Sequence, residues 1–212
     1  RLKTRRAISP ATIFSAATEM SLEIEATINV FDQVMNLARS LRKSRRGAPV
    51  SFNCSAILLT QPDFVDALFA RLRQVGTVSN MVIMEITEEN RVANIKVVAE
   101  ICRMLADYGL TVSIDDYGTG QSNLDRIAEI PFAELKLDKE IFWAFCNNRV
   151  PIGVLSSVID FCHMRGAKTV VEGIETPFHL EKARLLGADH GQGFYWGRAV
   201  PPQYLVKNWR PV

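Results

Sequence analysis

The sequence has no apolar run near the roughly 18 residues that a membrane-spanning helix needs, and its first residues do not read as a signal peptide. It has little excess charge: 25 Lys and Arg against 23 Asp and Glu leave a formal net charge of +2. That balance argues neither for nor against a small anionic ligand. The basic run Arg42, Lys43, Arg45, Arg46 falls where a helix is predicted to end, so it reads as a solvated terminus complementing the helix dipole, with no nucleic-acid polymer as partner. The four cysteines, Cys54, Cys102, Cys146 and Cys162, include no C-x-x-C pair, which argues against a zinc site or a disulfide framework and makes a reducing cytoplasm the default compartment. The reading leaves room for a membrane-tethered parent protein, with no direct membrane contact by this domain. The three histidines, His163, His179 and His190, share no short ligand spacing, so no soft-metal site is visible.

What the sequence does contain is apolar content of 48% in a chain of 212 residues, enough for one large core, with charged residues interspersed. Nothing suggests a second domain or an internal repeat, and residues 1–212 read as one unit. Ser9-Pro10 is a helix start, and an amphipathic stretch over residues 21–44 is ended by Gly47-Ala48-Pro49. From there the chain alternates. Strands are predicted over 50–54, 81–86, 110–114, 133–137, 169–171 and 190–192, and helices over 63–75, 91–108, 122–128, 138–146, 151–164 and 177–186. A last helical stretch follows Pro202. Short apolar strands alternating with helices imply parallel βα units covered on both faces. Two architectures fit: an open, doubly wound sheet and a (β/α)8 barrel that lacks its opening strands, since only six strands are visible.

The polar residues carry the functional signal. Asn53 lies at the end of the first strand, Glu85 near the end of the second, and Asp115-Asp116 just after the third. Lys136 lies near the end of the fourth, Glu172 follows the fifth and Gln192 the sixth. In a barrel these ends converge on one face. A single buried polar residue is ordinarily structural, but six in register are hard to ascribe to packing, because each costs free energy to desolvate unless paired or metal-bound. Carboxylates with an asparagine amide form a hard, oxygen-only set suited to Mg²⁺ or Mn²⁺. Neighbouring strand residues point to opposite faces, so Asp115 and Asp116 can serve one centre only where the strand gives way to a turn, and Tyr117-Gly118-Thr119-Gly120 is such a turn. A carboxylate there can bridge two ions. Lys136 suits orientation of water or neutralisation of phosphate, and Glu172 suits a general base or a further metal-site carboxylate. Glu175 can support the site or contact substrate.

The segments ISPATIF, SFNCSA, MEITEEN, SIDDYGTGQSNL, LKLDKEIF, VVEGIET and DHGQGFYWGRAVPP run in order along nearly the whole chain, and together they resemble the EAL-domain family of cyclic di-GMP phosphodiesterases. The resemblance implies an α/β fold, a modified (β/α)8 TIM-like barrel with its N-terminal strand or strands missing. It implies that Asn53, Glu85, Asp115 and Asp116 ligate two Mg²⁺ or Mn²⁺ ions, that Lys136 positions the attacking water, and that Glu172 is the base or a metal-linked carboxylate. It further implies that Gln192 lines the site, that Glu88 holds the loop after Asp116, and that cyclic di-GMP is hydrolysed at one phosphodiester to linear pGpG by a homodimer. The glutamate of the motif that names the family would precede Arg1. If Arg1-Leu2 is the tail of that motif, Arg1 contacts substrate. Gly120-Gln121-Ser122-Asn123, Cys54 and Ala199 depart from the family's commoner residues, and they touch loop tuning and packing more than ligands. Two rivals stand beside this reading: an inactive EAL module that binds cyclic di-GMP or a protein, and an unrelated barrel hydrolase acting on another phosphate ester.

Overall fold

The computed structural model describes residues 9–43, 47–75, 80–87, 94–119 and 124–208. Six strands form a parallel sheet: β1 Val50–Ser55, β2 Val82–Thr87, β3 Thr111–Tyr117, β4 Glu134–Leu137, β5 Lys168–Val171 and β6 His190–Gly191. Each strand pairs with its predecessor in the chain, in the order β1-β2-β3-β4-β5-β6. A doubly wound sheet reverses its strand order at a switch point. This one never does, so the sheet is an arc of a barrel. Among the described residues β1 and β6 each have one strand neighbour, and hydrogen bonds do not close the arc.

The helices are α1 Pro10–Glu19, α2 Glu23–Lys43, α3 Pro62–Val75, α4 Ile95–Asp107, α5 Leu124–Glu129, α6 Lys139–Cys146, α7 Ile152–Met164, α8 Pro177–Leu186 and α9 Pro202–Asn208. Their ends follow local chemistry. Ser9 accepts a hydrogen bond from the Thr12 N–H at 3.1 Å ahead of Pro10, and Thr176 caps α8 ahead of Pro177. Glu23 and Glu25 open α2 and Arg42 and Lys43 close it, each matching the dipole. Beyond shifts of a few residues at other element ends, two features differ from the sequence reading. A single 3-10 turn, Leu58–Thr60, follows β1 where no element was expected. The third strand runs on through Tyr117, so Asp115 and Asp116 lie inside it.

The core lies between strands and helices. On β2, Val82, Met84 and Ile86 are buried toward the helical layer, as are Phe52 and Cys54 on β1. Phe31 of α2 meets Phe52 edge-on, with ring centroids 5.4 Å apart. All four cysteines are free and buried, as expected of small apolar residues, and burial pushes the Cys102 thiol up to about 12. The alternate residues face the concave side. There Glu85, Ser113, Asp115 and Lys136 are buried, whereas Ser51 and Asn53 on the edge strand β1 are exposed. The strands are parallel, so their C-terminal ends share one rim, and that rim carries the polar residues.

Candidate active site

Lys136 is the centre of the rim. It is 3% exposed, and its Nζ lies 2.6 Å from Glu172 Oε1, 2.9 Å from Asp115 Oδ1 and 3.3 Å from Glu85 Oε1. These partners come from β2, β3 and the residue after β5. Burial alone would lower the lysine's pKa, but Glu85, Asp115 and Glu172 hold it well above the ordinary range, so it stays charged. Register explains the convergence: Asn53 pairs with Glu85 across β1–β2, Glu85 with Ser113 across β2–β3, and Thr87 with Asp115 one pleat nearer the rim.

Asp115 and Asp116 reach one centre by a means the sequence reading did not anticipate. The β3–β4 register shifts between Ile114 and Tyr117, and Asp116 adopts φ +57°. A bulge with a left-handed residue breaks the strict alternation of side chains. Ligand oxygens of Asp115, Asp116 and Glu172 then lie within 4.8 Å of one another. A non-glycine residue held at positive φ is backbone strain of the kind found at functional sites. Gly118 follows at φ +108°, where a Cβ would lie 2.7 Å from Ile141 of α6, so only glycine fits this turn.

The electrostatics are under-compensated. Glu85, Asp115, Asp116, Asp138 and Glu172 surround one lysine. Burial raises the pKa of Glu85 against the lowering effects of Lys136 and a Ser51 hydrogen bond. Burial together with Asp115, Glu172 and Asp138 raises Asp116 to about 6. Asp115 Oδ1 is fully buried, and the Lys136 Nζ 2.9 Å away is a donor it shares with Glu172 and Glu85. Crowded hard oxygens that share one ammonium are a donor set that a divalent cation would satisfy.

The structure brings Glu85, Asp115, Asp116, Lys136 and Glu172 together. Asn53 sits beside Glu85 in register with an exposed side chain, and Gln192 and Glu175 are exposed on the segments flanking Glu172. The Gln192 backbone ties these segments, its N–H donating to Val171 O at 2.8 Å and its carbonyl accepting from Ile174 N at 3.0 Å. Arg1 and Glu88 lie outside the described residues. Sequence reasoning missed Asp138, a buried carboxylate that caps α6 through the Glu140 N–H at 2.7 Å and raises the Asp116 pKa. Its signal was an acid directly after the strand that carries Lys136.

The sequence profile of the EAL domain matches residues 1–199. The chain belongs to the EAL domain family. Relatives of this EAL domain include the cyclic di-GMP phosphodiesterase RocR of Pseudomonas aeruginosa, 27% identical over 193 residues that make up 87% of this chain and 49% of RocR. The bifunctional diguanylate cyclase/cyclic di-GMP phosphodiesterase MucR of the same organism is 28% identical over 75% of this chain and 23% of MucR. The chain thus spans a quarter to a half of the length of these curated relatives. The solved MucR phosphodiesterase in complex with c-di-GMP superposes with a TM-score of 0.80 at 25% identity, covering 96% of this chain and 83% of that one. The FimX EAL domain of Xanthomonas citri shares the fold, with a TM-score of 0.83 at 16% identity over 95% of this chain and 80% of that one. Among the described residues, no helix of the EAL domain is long and apolar enough to cross a membrane.

Proposed function

We propose that this EAL domain is a metal-dependent phosphodiesterase that hydrolyses cyclic di-GMP to linear pGpG. The observation that carries the reading is the excess of convergent carboxylates around Lys136, the ammonium they share. Relatives named as cyclic di-GMP phosphodiesterases and a structural relative solved with c-di-GMP supply the substrate class. The Bacillus subtilis YkuI protein, with an EAL domain, was solved with c-di-GMP and calcium, and it aligns with 75% of this chain and 41% of that one at a TM-score of 0.62 and 26% identity.

Asn53, Glu85, Asp115 and Asp116, with Glu172 as a further metal-linked carboxylate or the base, would hold two Mg²⁺ or Mn²⁺ ions. Bound there, the ions would supply Lewis-acid stabilisation of phosphoryl charge and activation of water. The chain's own residues do the rest. Lys136, kept protonated by its acidic neighbours, holds Glu172 and Asp115 in fixed directions and presents positive charge toward a phosphate. Glu172, at 2.6 Å from that ammonium, is placed to orient a water and to take its proton. Gln192 and Glu175, exposed beside the rim, are available to substrate. Glu88 would hold the loop after Asp116, and a homodimer would couple that loop to the site.

The test is incubation of the full-length protein with cyclic di-GMP and Mg²⁺ or Mn²⁺, with products separated by chromatography. The expected product is pGpG, absent when EDTA is added and absent from Glu85→Ala and Asp115→Ala. Tight binding of cyclic di-GMP without any product would instead make the domain a receptor.

A further inference from the structure

Glu172 is followed by the residue least able to hold it still. Gly173 adopts φ +72° and has no side chain with which to restrain its own backbone. The restraint comes from α6. The indole Nε1 of Trp143 donates to the Gly173 carbonyl at 2.9 Å, and a Cβ on Gly173 would lie 2.5 Å from Lys139 Cβ and 3.0 Å from Trp143 Nε1. On the other side of Glu172, its own N–H donates to Leu137 O at 3.0 Å. One helix therefore presses on both acid-bearing turns, through Ile141 against Gly118 and through Lys139 and Trp143 against Gly173. The Trp143 ring is only partly buried and lies at 34° to the His179 ring, with centroids 6.0 Å apart. Its N–H is the atom that reaches the site's scaffold.

We propose that Trp143 is a positioning residue for the divalent-cation site: its indole N–H fixes the turn that presents Glu172 to Asp115 and Asp116. The proposal rests on the cation reading above. A ligand carboxylate is oriented by what holds its backbone and its own hydrogen-bond partners, and removing such outer partners weakens metal binding.

The test is Trp143→Phe in the full-length protein, which keeps an aromatic ring and deletes the donor. Mn²⁺ binding, followed by the loss of the free-ion paramagnetic resonance signal, is expected to weaken about 10-fold. The thermal midpoint should stay close to wild type, and kcat should fall while KM for cyclic di-GMP holds. A folded Trp143→Phe protein that binds Mn²⁺ within a factor of about two of wild type would overturn the proposal, since a purely structural tryptophan predicts that result. If Trp143→Phe does not fold, a protein retaining Trp143 but carrying Trp196→Phe and Trp209→Phe serves. Its single indole N–H resonance should shift on addition of Mg²⁺, and an unmoved resonance overturns the proposal. Wild-type protein that binds no Mn²⁺ at all would sink the cation reading first, and this inference with it.

Discussion

The two ends of the sheet treat carboxylates in opposite ways. At the N-terminal end, Asp189 has more donors than it needs: Lys168 Nζ at 2.7 Å, the Thr169 N–H at 2.9 Å, the Thr169 hydroxyl at 3.1 Å and His163 Nε2 at 2.8 Å. Burial alone would raise its pKa, but these donors, Lys168 foremost, pull it well below the ordinary carboxylate range. At the C-terminal end, Glu85 and Asp116 are raised, and Glu85, Asp115 and Glu172 share the Lys136 ammonium. A satisfied acid is a staple that joins the starts of β5 and β6. Acids crowded around one ammonium cost stability, which a cation from outside the chain would offset. The difference is our ground for proposing that Asp189 is structural and the rim acids functional.

The largest expected effect comes from removing the rim's one central cation. Lys136→Met leaves buried carboxylates facing each other, and it should destabilise the metal-free protein by about 3–5 kcal/mol in urea unfolding. A change under about 1 kcal/mol would mean that the acids are already protonated or solvated. Asp189→Asn should cost about 1–3 kcal/mol of stability while hydrolysis at saturating metal is retained. Loss of turnover in a folded Asp189→Asn protein would erase the distinction between the two ends. Asp116→Asn should do the reverse, abolishing turnover while stabilising the metal-free protein by about 1 kcal/mol, a figure discounted because Asp116 is partly solvated.

The smallest effect, and the sharpest, is in pH. The Asp116 carboxyl is raised to about 6, so its unfavourable charge is present above that value and is relieved as pH falls toward the ordinary carboxylate range near 4. Metal-free protein should therefore gain slightly from Asp116 on acidification through this window, whereas metal affinity should weaken as protons compete below about pH 6. Asp189 moves the other way. Its contribution is complete above the unfolded carboxylate value and is lost only as pH falls through its depressed folded value. Thermal melts of metal-free wild type, Asp116→Asn and Asp189→Asn between pH 2 and 8 separate the two: the Asp116 difference should change between about pH 6 and 4 and the Asp189 difference below about pH 4, and identical profiles would contradict the account.

Much of this was legible in the residues, for physical reasons that can be named. Caps and breakers such as Ser9-Pro10 and Gly47-Ala48-Pro49 act locally, so sequence carries them directly. Polar residues at the ends of Val/Ile/Leu-rich strands stand out against their apolar neighbours, and Glu85, Asp115, Lys136 and Glu172 were found that way. What stayed hidden depends on tertiary context. The run of β3 through Asp116 is a bulge, set by pairing with β4 and not by local propensity. Periodicity alone left barrel arc and open sheet both open; the family resemblance implied the barrel, and the strand order agrees with it. The Asp189 staple and the Trp143–Gly173 bond join residues 20 and 30 positions apart, and neither has a short-range pattern.

The most direct test is crystallographic. Crystals soaked in Mn²⁺ and measured at a wavelength with strong manganese anomalous signal should show two peaks at the rim, at least one within about 2.3 Å of an Asp115 oxygen. Manganese bound elsewhere on the molecule, with no peak among Asp115, Asp116 and Glu172, would contradict the claim that these acids converge to hold metal.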